Sequence, residues 1–110
     1  MSILNDAIDA LLQQKLWLEE NWKRLEGGCN SDEERAVLIG SYVRARDQWN
    51  DAETKNLVMN DAELSGYIKQ LAEVRKQLED DLVALAEISD VLNNIAKGLE
   101  AGSKIVRLLG

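Results

Sequence analysis

Lys76–Ile88, KQLEDDLVALAEI, decides the fold, because two consecutive aspartates sit inside a run whose leucines recur every seven residues. Counting outward in sevens, leucine occupies Leu57, Leu64, Leu71, Leu78, Leu85, Leu92 and Leu99, and Val106 continues the register. With those positions as a, the d positions are Asn60, Tyr67, Val74, Asp81, Ile88, Ile95, Gly102 and Leu109. An apolar a/d repeat held this long predicts a helix that packs along a seam. The expected seam is Leu71, Val74, Leu78, Asp81, Leu85, Ile88, Leu92, Ile95 and Leu99.

Asp81 is the exception on that seam, and three readings of it stand. The apolar stripe drifts to Leu82 and lets the carboxylate reach water; or Asp81 fixes the register, as single polar seam residues do, with Arg44 and Arg46 as candidate partners; or it is a buried catalytic carboxylate.

The rest of the chain agrees on helix. The sequence of 110 residues has no proline, no phenylalanine and 45% apolar residues. It is rich in Leu, Ala, Glu, Lys and Gln and holds no alternating β-branched run or Asn-Gly hairpin signal. A first helix is expected over about residues 3–26, with Leu4, Ile8, Leu11, Leu18, Trp22 and Leu25 on one stripe. The glycines of EGGCN stop it, leaving a loop over 27–31 that holds Cys29 in an exposed position. Ser31 with Glu34 forms a capping box that opens a second helix over about 32–56. Its stripe of Leu38, Tyr42, Ala45, Trp49 and Ala52 is one residue out of phase with the leucine repeat, so a break is expected near 56–60. Asn60, with Glu63 three residues later, caps the helix beyond that break.

The third helix is expected to run over about 61–108, roughly 70 Å, whereas the first two span only about 35 and 40 Å. Either it breaks near 89–98 and folds back, or its far half packs on a second copy. Leaving Leu92, Ile95, Leu99 and Val106 in water would forfeit about 1.5–3 kcal/mol each, and the reading preferred is a homodimer. The expected fold class is thus all-α, an antiparallel helical bundle or coiled coil of about three helices in a single domain.

Composition also bounds function. A net charge of −7 repels polyanions, and the RARDQWNDAETKN that precedes the leucines is no basic region, so no nucleic acid is expected as a partner. The first fifteen residues carry acids where a signal peptide carries bases, and no apolar run reaches the ~18 residues of a membrane span; a cytoplasmic protein is expected. Histidine is absent, which removes His-based acid–base chemistry, triads and Glu-x-x-His metal motifs. Adjacent acids such as Glu19–Glu20, Glu33–Glu34 and Asp80–Asp81 point to different helix faces and do not converge on a metal. The expectation is a non-enzyme with no catalytic residue, no cofactor and no metal.

What remains is interaction. The leading expectation is a helical protein–protein interaction module, an adaptor, assembly factor or chaperone-like partner. The alternative is an acidic inhibitor of the immunity or antitoxin kind that covers a basic partner surface. A further alternative is peripheral membrane contact through IAKGLEAGSKIVRLLG, where Lys97, Lys104 and Arg107 outnumber Glu100. Candidate partner surfaces are that segment and the tryptophans Trp17, Trp22 and Trp49, a residue type enriched in binding hot spots. Gly98 and Gly102 form a small-xxx-small pair that permits close helix approach.

Overall fold

The computed structural model describes residues 2–110. It contains five helices, α1 (Ile3–Glu20), α2 (Trp22–Gly28), α3 (Asp32–Glu53), α4 (Asp61–Val83) and α5 (Ile88–Arg107). There is no strand among the described residues, so the all-α expectation holds, with four long helices and one short one in place of three.

Local chemistry sets most boundaries. Ser2 Oγ accepts from Asn5 N at 3.2 Å, Ser31 Oγ from Glu34 N at 3.1 Å and Asn60 Oδ1 from Glu63 N at 3.0 Å. Each thereby satisfies one of the free donors of a first turn. Glu34 reaches back as a capping-box acid does, although its Oε1 takes Asn30 N at 2.7 Å. The first segment bends at Asn21: Trp17 O accepts both Asn21 N at 3.1 Å and Asn21 Nδ2 at 2.8 Å. A side chain inserted at a helical carbonyl bends the ladder, so the expected helix over 3–26 becomes α1 and α2. The second helix ends at Glu53 rather than 56.

The long third helix is the main correction. It stops at Val83, earlier than the 89–98 region, and α5 folds back along α4. A Schellman motif makes the stop: Ala86 N donates to Asp81 O at 2.9 Å and Leu85 N to Leu82 O at 3.3 Å. Leu85 holds the left-handed position, φ 55°, that glycine ordinarily takes. Arg24, on α2, donates a further bond to Leu82 O and so caps α4 from outside. Leu92, Ile95 and Leu99 are buried against their own chain, which removes the stranded seam that called for a second copy. A coiled coil is not the arrangement found.

Around the bundle the packing order is α1–α3–α5–α4, with α1 also packed on α4 and only lightly touching α5 across the diagonal. One core cluster joins Leu18, Leu38, Ala45, Leu78 and Val91; the other joins Ala7, Leu11, Ala52, Leu64, Leu71 and Ile105. α1 and α4 therefore run one way and α3 and α5 the other, and residues 54–60 cross the end of the bundle. That crossing is tied down by residues 108–110. Gly110 O accepts from Asn56 N and Leu57 N, Gly110 N donates to Leu57 O, and Met59 N donates to Leu108 O, all at 2.9 Å.

A polar layer divides the two clusters. Gln14 Nε2 donates to Gln48 Oε1 at 2.9 Å, and Gln48 Nε2 donates to Leu99 O at 2.8 Å and Ser103 Oγ at 3.1 Å. The glycine pair makes room for it. A Cβ on Gly102 would collide with the Gln48 carboxamide, and one on Gly98 would lie 3.0 Å from Gln14 Oε1 and 3.2 Å from Val74 Cγ1.

Candidate functional site

The feature that stands out for binding is a cleft of about 250 Å³ between α1 and α4, floored by α5. Small side chains flank it, Ala10 on α1 and Ala72 on α4, above a floor that includes Ile95 and Gly98. Trp17, Ile68, Leu71, Val74, Leu78 and Ile95 supply apolar walls. Its lips are charged, with Asp6 and Asp9 exposed on α1 and Arg75 half-buried on α4. None of these three takes part in an ion pair among the described residues.

The expected seam residues divide accordingly. Leu71, Val74, Leu78 and Ile95 belong both to the bundle interior and to the cleft, while Ile88, Leu92 and Leu99 lie in the upper core cluster. Leu85 is 80% exposed in the α4–α5 turn. Asp81 is buried, 8% exposed, and its partners are not the arginines. Gln77 Nε2 donates to Asp81 Oδ1 at 2.9 Å and Asn94 Nδ2 to Asp81 Oδ2 at 2.6 Å. The carboxylate thus ties the end of α4 to α5 beside the turn. Arg44 instead reaches Ser103 Oγ at 3.4 Å, and Arg46 pairs with its neighbour Asp47.

The tryptophans do not converge. Trp17 is 7% exposed and walls the cleft. Trp22 packs edge-on to Tyr42, with ring centroids 5.7 Å apart, on the α1–α3 side. Trp49 lies on the same side under Lys15, whose Nζ is 5.2 Å from the ring centroid; its indole Nε1 is buried and has no hydrogen-bond partner. Between these rings, Lys15 Nζ and Tyr42 Oη each donate to Glu19 Oε2 at 2.6 Å. The Lys15 bond first, and the Tyr42 bond second, hold the Glu19 carboxyl below its usual range. The same bonds to Glu19 raise Lys15 and Tyr42.

Lys97 and Lys104 of the last helix face a second, more open groove between α4 and α5, lined also by Gln70, Glu73, Gln77, Asn94 and Glu100. It is polar throughout except for Val74 and Ala101. Lys104 Nζ sits 5.4 Å from the Tyr67 ring centroid, and Arg107 is exposed in the last turn of α5. The apolar face of α5 is buried in the bundle.

Cys29 corrects another expectation. It is 6% exposed, with its Sγ 3.4 Å from Leu25 O, and it belongs to the same core cluster as Leu25, Leu38 and Ile88. Burial, with Glu34 nearby, pushes its thiol up, the opposite of what a reactive cysteine needs. No group of His, Cys, Asp or Glu among the described residues is placed to hold a metal ion, and no described helix is long and apolar enough to cross a membrane.

Sequence reasoning missed Asp6, Asp9, Gln14, Ala72 and Arg75. The only signal for them was the pairing of small residues, Ala10 and Ala72, on helices that later prove to be neighbours. Compared with protein-family models, with curated proteins and with solved structures, the chain matches none.

Proposed function

We propose that the protein is a non-enzymatic binding module that seats an amphipathic helix of a partner protein along the α1–α4 cleft. The observation that carries this reading is the cleft itself: an apolar-walled slot of about 250 Å³ reaching α5, in a bundle with a net charge of −7. An engineered apolar cavity of ~150 Å³ accommodates benzene, so this slot has room for a large side chain. Burying a Leu, Phe or Met there would contribute about 1.5–3 kcal/mol. The neighbouring α4–α5 groove lacks that apolar depth.

The other expectations draw less support. The leucine repeat argues less for a homodimer, because Leu64, Leu71, Leu78, Leu92 and Leu99 are buried within one chain. An acidic blocker of a basic surface rests on net charge alone, and membrane contact through residues 95–110 would need an apolar face that α5 keeps inside.

The test is a selection of displayed helical peptides of about fifteen residues on the wild-type protein and on Ala72→Phe, which fills the slot from an exposed position. Far-UV circular dichroism and thermal melts establish that the variant folds. Peptides that bind the wild type at least tenfold better than the variant support the reading; binders indifferent to Ala72→Phe, or no binders, overturn it.

A further inference from the structure

The charges on the lips say more about the occupant. Along the bundle, Asp6 and Asp9 neighbour Ala7 and Leu11 of one core cluster, whereas Arg75 lies between Val74 and Leu78, which pack in the other. The two acids and the arginine therefore stand toward opposite ends of the cleft. The open slot at Ala10, Ala72 and Gly98 falls between the two signs of charge.

On one helical face, residues three or four apart are neighbours, and about 10 Å separates residues two turns apart. Arg75 is half-buried and, like Asp6 and Asp9, in no ion pair among the described residues, so its planar fork is free for a carboxylate. Resting on the cleft-binding reading, we propose that the occupant is a partner-protein helix with one large apolar side chain flanked on the same face, one turn to either side, by an acid that meets Arg75 and a base that meets Asp9 and Asp6. Its direction follows from its own dipole. An acid toward the N-terminus and a base toward the C-terminus stabilise a helix; with the acid at Arg75, such a helix runs antiparallel to α1 and α4.

The test uses the peptides that survive the Ala72→Phe comparison. Their sequences are expected to be enriched in acid-x-x-(x)-apolar-x-x-(x)-base, with Lys or Arg on the C-terminal side. Affinity for Asp9→Lys and for Arg75→Glu should each fall by roughly two- to fivefold, the size of one exposed ion pair, and fall less in 0.5 M salt. Reversing the matching charge on the peptide should restore binding to the corresponding protein variant. Cleft-dependent peptides with no such pattern, or whose affinity ignores both variants, overturn the charge assignment and leave the cleft reading standing. Loss of cleft dependence altogether overturns both.

Discussion

Leu85 offers the sharpest test of how the chain is made to turn. It occupies the left-handed position of the Schellman motif at φ 55°, a conformation that costs a non-glycine residue about 1–2 kcal/mol. Its side chain is 80% exposed, so truncation removes little packing. The informative pair is Leu85→Ala and Leu85→Gly. Both lose the same small contact, but only glycine relieves the backbone, at an entropic cost of about 0.5–1 kcal/mol from the unfolded chain. Glycine should therefore be the more stable of the two by about 0.5–1 kcal/mol, a difference of roughly 2–6 °C in Tm for a chain of this size. Inside a helix the order would be reversed, with alanine ahead by about 1 kcal/mol. Urea denaturation followed by circular dichroism, with equal slopes for the two variants, reads the difference. An alanine variant as stable as the glycine variant, or more so, would mean that α4 runs on through residue 85 and that the fold-back is wrong.

Three further outcomes concern side chains on either side of that turn and in the core. Asp81→Ala should destabilise the bundle by about 1–3 kcal/mol, since bonds to a charged group are lost at the joint between α4 and α5; a change under about 0.5 kcal/mol in the same denaturation assay would refute a structural role for the carboxylate. Glu19 is held below the usual carboxylate range by Lys15 and then Tyr42, so its contribution to stability is present above that range and lost as pH falls through the depressed value. Tyr42→Phe should move the Glu19 titration upward, read from its carboxyl carbon by NMR; an unmoved titration would mean that the Tyr42 bond is not made in solution. Cys29, buried and with its thiol raised, should react with iodoacetamide at pH 8 far more slowly than free cysteine, and quickly only once urea unfolds the chain; prompt reaction in buffer would place it outside the core.

The parts of the fold that were legible are those fixed by neighbours in sequence. Ser31 and Asn60 cap their helices because an N-cap needs only the next three residues, and the helical composition needs no partner at all. The turn at residues 84–87 was hidden for a specific reason. Leucine stands where glycine would have marked the stop, and the turn is of a length that carries the count of sevens across it, from Leu78 through Leu85 to Leu92. One repeat thus describes two antiparallel helices. Asp81 could be singled out as odd, but its partners Gln77 and Asn94 depend on that turn, and Arg44 and Arg46 were reasonable only for a straight helix. The cleft was hidden more deeply, because Ala10 and Ala72 become facing residues only once α1 and α4 are adjacent, and Asp9 and Arg75 read as ordinary solvated charges until a slot lies between them.

The pairing of residues 56–59 with 108–110 bears on how the bundle opens. Asn56, Leu57 and Met59 donate their amides only to carbonyls of Leu108 and Gly110, so each is shielded from exchange with solvent only while the end of α5 stays docked. Loop-closure cost rises slowly with length, about 0.6 kcal/mol per doubling, and these bonds join segments far apart in the chain; the side chains of Leu57 and Met59 are exposed, while Val58 and Leu109 pack against the core. The protection of the bonded amides should fall below that of mid-helix amides in the bundle core such as those of Leu11 and Leu71. Protection of these three amides should therefore report release of residues 108–110 from the α3–α4 crossing, an opening too local for global unfolding measurements to register.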